Sequence, residues 1–162
     1  METLEQNTTE WLKWRHAGIG GSDIPVIMNK SPYKKPFELW EEKIAPEPKF
    51  SEPNFIQAKG HNLEPIARAK AEIELGITFN PKLVQSERYE FLRCSLDGIS
   101  QDLKDVIEIK YVGKNFNDEC PEKYYPQIQY QYTLTKCERV HLVQINDDKE
   151  IKIFIVPMNK EY

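Results

Sequence analysis

Helical and strand patterns follow one another along this chain in the order helix, strands, helix, strands. That order predicts an α/β (α+β) fold, a central mixed sheet with helices packed on it. Three stretches carry the prediction. From about Asn54 to Leu75 the apolar residues keep a helical spacing, and Gly76 closes the run. Arg93–Asp97 and Val106–Tyr111 are runs of strand composition on either side of polar Ser100–Asp105, the pattern of a hairpin. Arg139–Ile145 and Ile151–Val156 repeat that pattern around Asn146–Lys149. The 162 residues suffice for one domain, 1–162, with a core of its own.

The elements follow in order. Thr8 or Thr9 caps a short helix that carries Trp11, Leu12 and Trp14 and ends near His16. Gly18, Gly20 and Gly21 break it, and Ser22 reads as the N-cap of a second short helix with Pro25 in its first turn. Pro36 opens a helix to about Ile44, with Phe37, Leu39 and Trp40 expected in the core, and Pro46, Pro48 and Pro53 mark a loop. On the long helix, Leu63, Ile66, Ala67 and Ile73 form the expected buried stripe. Ile77–Phe79 and Leu83–Glu87 read as two strands leading into the hairpin, in which Asp97 ends the first strand just before Gly98. Residues 113–120 read as loop, and Pro121–Thr135 as a helix that Pro126 starts or kinks. On it Gln127 and Gln131, four apart, share a face, and the four tyrosines between 124 and 132 read as packing residues.

Composition narrows the function classes. Hydrophobic residues make up 40% and charged ones 30%, as in ordinary soluble domains. No apolar run has spanning length and no signal-peptide pattern opens the chain, so a cytoplasmic location is expected. Cys94, Cys120 and Cys137 are odd in number and widely spaced, which suits reduced thiols rather than a zinc or iron–sulfur site. A net charge of −4 argues against a protein that coats nucleic acid by bulk attraction. An enzyme acting on DNA would need a local basic surface, for which Lys13, Arg15, Lys30, Lys34 and Lys35 are the candidates.

The chemistry concentrates in the hairpin. Alternate side chains of a strand share a face, so Glu108 and Lys110 point with Val106, away from Ile107, Ile109 and Tyr111. Asp97 on the adjacent strand then joins two carboxylates and an ammonium at one end of the sheet. Hard carboxylate oxygens suit Mg²⁺ or Mn²⁺, and a lysine beside them suits orienting a water and countering charge on a phosphodiester. A solvated hairpin face has the same Glu-x-Lys pattern; Asp-Gly on the preceding strand tips the reading toward chemistry. Glu64 reads from spacing alone as a surface glutamate, and Arg15 before the glycine turn as an arginine in solvent.

Ser95-Leu-Asp97-Gly98 followed by Glu108-Ile-Lys110 resembles the PD-(D/E)xK nuclease signature, with Ser-Leu in place of the usual proline. With Gly18-Ile-Gly-Gly-Ser22-Asp, Gly60-x-x-x-Glu64 and Pro126-Gln127-Ile-Gln129-Tyr130 in the same order, the chain is similar to the lambda exonuclease and YqaJ branch. The resemblance implies a restriction-endonuclease-like core and a metal-dependent DNA exonuclease that degrades one strand of duplex ends from 5′ to 3′. It implies Mg²⁺, or Mn²⁺, held by Asp97 and Glu108 with help from Glu64 and the Ile109 carbonyl. Lys110 would activate or orient water, Gln127 would position that lysine or the phosphate, and Arg15 with Ser22 would form a terminal-phosphate pocket. Phage or prophage recombination with a single-strand-annealing partner, and a trimeric ring, are further implications. Relatives commonly continue into further helix, which bears on whether such a ring closes. An endonuclease or structure-specific nuclease on the same core, and a non-catalytic DNA-binding or inhibitory module, remain the alternatives.

Overall fold

A computed structural model describes residues 4–162. It contains, in order, α1 (Thr9–His16), a single 3-10 turn (Gly21–Asp23), α2 (Ile24–Ile27), α3 (Pro36–Ile44), α4 (Phe55–Leu75), β1 (Phe79–Gln85), β2 (Arg93–Ser100), β3 (Asp105–Tyr111), α5 (Tyr125–Thr135), β4 (Arg139–Ile145) and β5 (Ile151–Val156). The strands form one sheet in sequence order, antiparallel except where β3 and β4 run parallel. A parallel pair needs a crossover, and α5 supplies it.

Helices cover both faces of the sheet. Leu96, Val106, Val140 and Leu142 pack with Ile128 and Tyr132 of α5 on one side. Ile107, Ile109, Val143 and Ile145 pack with Leu63, Ala67 and Ala71 of α4 on the other. This mixed sheet with flanking helices is the predicted fold class. No helix among the described residues is long and apolar enough to cross a membrane.

Local signals set most boundaries. Thr8 Oγ1 accepts from the Trp11 N–H and caps α1. Asn54 and Gln57 bond each other's backbone N–H at the start of α4, and Gly76 ends it in the left-handed conformation (φ 66°). Tertiary context overrides the sequence in several places. Ser22 is no N-cap but lies inside the 3-10 turn, where Asp23 Oδ2 takes the Gly20 N–H at 2.8 Å. The backbone N–H of Gly20 is therefore spent and is not available to an anion. Instead of two strands before the hairpin there is one, β1, whose register shifts between Asn80 and Lys82 around Pro81. A proline without a ladder donor is tolerated there because β1 is an edge strand.

β2 continues through Asp97 and Gly98 to Ser100, so Asp97 lies inside the strand rather than at its end. Helix α5 begins only at Tyr125, with Pro126 in its first turn, where the missing N–H costs nothing. The buried stripe of α4 is Leu63, Ala67 and Ala71, each four residues apart; Ile73 falls well off that face and is 84% exposed. Leu39 is buried, but Phe37 and Trp40 stack on each other in the open. Of the candidate basic surface, Lys30 and Lys34 are paired with Glu122 and Glu42.

Gly98 lets three strands meet closely. A Cβ there would lie 2.7 Å from Phe79 Cβ and 2.9 Å from Ile107 Cγ1, closer than packed atoms tolerate. Gly98→Ala should therefore destabilise the protein by about 1–3 kcal/mol, the usual cost of overpacking. Urea unfolding measures it, and a variant as stable as wild type would show that the strands can part.

Candidate active site

The site forms where β2 and β3 separate. Their pairing is registered at Ile99–Val106 and Gly98–Ile107 and goes no further. Beyond that point the Asp97 side chain takes over the ladder's work, its Oδ2 accepting the Ile109 N–H at 2.7 Å. The Asp97 carbonyl accepts from Arg68 Nε of α4 at 2.8 Å, and the same guanidinium pairs with Glu64 one turn earlier. Arg68 thus ties the open fork of the sheet to the helix behind it.

Glu108 follows on β3, pointing to the α5 side and only 3% exposed. A buried carboxylate must be paired. Its Oε1 accepts from Lys110 Nζ at 2.6 Å and from Gln127 Nε2 at 2.8 Å, and its Oε2 accepts from Gln131 Nε2. Lys110 also donates to Gln127 Oε1 at 3.2 Å and lies over the Tyr124 ring. The strand period brings Glu108 and Lys110 together, and the helix period brings Gln127 and Gln131 over the same carboxylate.

A third wall comes from the N-terminal region. Trp11 Nε1 donates to Ser95 Oγ of β2 at 2.8 Å, fixing α1 against the sheet. Lys43 of α3 pairs with Asp23 at 2.8 Å and donates to the carbonyls of Arg15 and Gly18, so it holds both ends of the glycine turn. The turn passes so near β2 and α5 that a Cβ on Gly21 would lie 3.0 Å from Cys94 Sγ and 3.4 Å from Gln127 Cγ. On its outer side Arg15 Nη2 donates to Ser22 Oγ at 2.8 Å.

A cavity of about 360 Å³ lies between these walls. All eight residues nominated from the sequence, Arg15, Ser22, Glu64, Asp97, Glu108, Ile109, Lys110 and Gln127, line it. Sequence reasoning did not nominate Arg68, Lys43, Trp11 or Gln131. Only the spacing of Gln131 from Gln127 signalled any of them in advance.

The electrostatics follow from the crowding. Desolvation first, then Glu108 and Glu64, push the Asp97 carboxyl well above the usual carboxylate range, against the opposing pull of Lys110. Glu64 is raised too, by burial and by Glu108, with Arg68 opposing. Burial would lower Lys110, but Glu108 and Asp97 outweigh it and hold the ammonium above its ordinary value. Among the described residues no three His, Cys, Asp or Glu side chains form a ready metal cage. Mg²⁺ asks for less, one or two carboxylates completed by water and phosphate oxygens. Asp97 and Glu108, with Glu64 and the Ile109 carbonyl near them, fit that demand, and a cation would relieve the charge crowding that raises Asp97.

The match to known proteins is broad. Residues 10–138 match the YqaJ-like viral recombinase domain. The uncharacterized protein YqaJ of Bacillus subtilis (strain 168) is 32% identical over 133 residues, 78% of this chain and 42% of that protein. The chain spans less than half the length of the curated relatives it matches. Among solved structures, the alkaline exonuclease LHK-Exo of Laribacter hongkongensis superposes with a TM-score of 0.77 at 23% identity, covering 95% of this chain and 84% of that one. A phage-related exonuclease of Haemophilus somnus 129PT gives 0.66 at 17% identity, covering 89% and 86%. At these identities the superpositions establish a shared fold.

The raised Asp97 carboxyl gives a signed expectation. A carboxyl raised in the fold costs stability as pH climbs from its unfolded value, near 3.9, through its folded one. A cation that competes with that proton should remove the cost. Mn²⁺ at a hundredfold excess over its dissociation constant should add about 2.7 kcal/mol, or roughly 5–10 °C in melting temperature for a chain of this size. At one fixed Mn²⁺ concentration, the gain over EDTA should be larger at pH 8 than at pH 5 and absent in Asp97→Asn. Thermal melts at the two pH values test it, and an equal gain at both would contradict the account.

Proposed function

The chain belongs to the YqaJ-like viral recombinase domain family, and from that premise we propose that it hydrolyses phosphodiester bonds of duplex DNA as an end-dependent, 5′-to-3′ exonuclease. The observation that carries this reading is the buried Glu108 carboxylate, paired with Lys110 and facing Asp97 across the fork of the sheet. A divalent cation such as Mg²⁺, held by Asp97 and Glu108 with Glu64 and the Ile109 carbonyl, would supply Lewis-acid polarisation of the scissile phosphate.

The chain's own groups do the rest. Lys110 stays charged between Glu108 and Gln127, and so presents an oriented ammonium to a water or to a phosphate oxygen. Its charge counters the negative charge that grows on the phosphate oxygens as the bond breaks. Gln127 bonds both Lys110 and Glu108, and so holds the ammonium where the carboxylate alone would leave it free to swing. Arg15, joined to Ser22 at the cavity's outer wall, offers a planar fork of donors suited to a phosphate. A terminal phosphate monoester carries more charge than an internal diester, so this pair favours a phosphorylated end. That preference separates the exonuclease from an endonuclease on the same core.

Linear plasmid DNA with Mg²⁺ should be degraded while covalently closed circles survive, and EDTA should stop the reaction. Lys110→Met, which leaves Glu108 with amide donors only, should be less stable but still folded, and should lose about 10²–10³-fold in rate, the loss typical of removing one preorganised transition-state donor. Comparable cutting of closed circles would favour the endonuclease, and full activity in Lys110→Met would make the lysine a bystander.

The outer wall gives a second expectation. Duplexes with a 5′-phosphate should be degraded faster than those with a 5′-hydroxyl. Arg15→Ala should remove about tenfold or more of that preference, in keeping with a hydrogen bond to a charged group. Single-turnover rates on the two ends measure it, and equal rates in the wild type would refute the pocket.

A further inference from the structure

Gln131 lies beneath the site rather than in it. Its side chain is fully buried in the middle of α5, and nothing bound in the cavity would touch it first. Its Nε2 donates to Glu108 Oε2, while its Oε1 is buried with no hydrogen-bond partner. A carboxylate only accepts, so the amide must turn its nitrogen to Glu108 and leave its oxygen unmet. An apolar residue of the same shape would avoid that penalty but would leave Glu108 Oε2 without its donor. The amide's presence is therefore explained by what it does to Glu108.

What it does follows from counting lone pairs. Each carboxylate oxygen accepts about two bonds. Oε1 of Glu108 has both places filled, by Lys110 and Gln127. Oε2 accepts from Gln131 alone, and so keeps one place open. We infer that Gln131 is a positioning residue that fixes the Glu108 carboxylate with one Oε2 lone pair directed to a divalent cation, so that Glu108 ligates through a single oxygen. This rests on the metal-dependent reading above and adds to it which oxygen serves and which residue decides that. Lys110 and Gln127 occupy Oε1, so the lysine's charge would stay beside the cation without competing for the same lone pair.

The test is binding of Mn²⁺ alone, by calorimetric titration of the whole chain without DNA. Gln131→Met keeps the volume and removes the donor. It should lower Mn²⁺ affinity by about 10–100-fold, the usual effect of losing a residue that orients a metal ligand. Because Gln131 acts through Glu108, adding Gln131→Met to Glu108→Gln should change affinity by less than about twofold. If Gln131→Met does not fold, Gln131→Asn, whose shorter amide leaves Oε2 out of reach, should lose affinity to a similar degree. Affinity within about twofold of wild type in the folded variant, or an undiminished loss in the Glu108→Gln background, would overturn the inference while leaving the metal-dependent reading intact. A wild-type protein that takes up no Mn²⁺ would instead overturn that reading, and this one with it.

Discussion

A carboxylate buried inside a sheet must find donors or lose its charge, and the arrangement around Glu108 follows from that requirement. Its own strand can offer only the next side chain on the same face, Lys110. The remaining donors come from the helix that crosses over between β3 and β4, and Gln127 and Gln131 lie one turn apart so that both reach the same group. The parallel pairing of β3 with β4 is therefore tied to the chemistry of the site. Without a crossover helix on that face, Glu108 would have only the lysine.

The same logic governs the fork between β2 and β3. A sheet that stayed fully paired would bury Asp97 in its ladder and leave no opening. Here the strands part on the Asp97 side of the Gly98–Ile107 pair, and the Asp97 carboxylate satisfies the Ile109 N–H that the missing ladder bond would have left bare. Arg68 satisfies the Asp97 carbonyl from the helix on the far face. Side chains thus satisfy two backbone groups that the parted ladder leaves, and Asp97 and Ile109 come to line one cavity.

Charge is distributed unevenly over this frame. The chain as a whole is acidic, and Glu64, Asp97 and Glu108 crowd where the fork opens, with Lys110 and Arg68 held among them and Arg15 bonded to Ser22 on the outer wall. Net charge consequently says little about what the cavity attracts. Lys43 carries no such role in the cavity itself, yet by tying Asp23 to the carbonyls of Arg15 and Gly18 it sets the outer wall's position relative to the fork.

Relations confined to one element could be read directly. A strand's period of two put Glu108 and Lys110 on a common face, a helix's period of 3.6 did the same for Gln127 and Gln131, and cap chemistry marked the start of α1 and the end of α4. The alternation of these elements was enough to give the fold class. Where the tertiary structure had to decide, two remote segments compete for one group or one space. Asp23 and not Ser22 caps the glycine turn, because Lys43 arrives to share its charge. One strand runs through Pro81 because it ends up on an edge, and Phe37 and Trp40 lie exposed because their helix turns the side that carries Leu39 and Lys43 to the body of the protein. The partnership of Gln131 with Glu108 and of Arg68 with Asp97 spans 23 and 29 residues of chain. Spacing reports which side chains share a face, but only packing determines which faces meet.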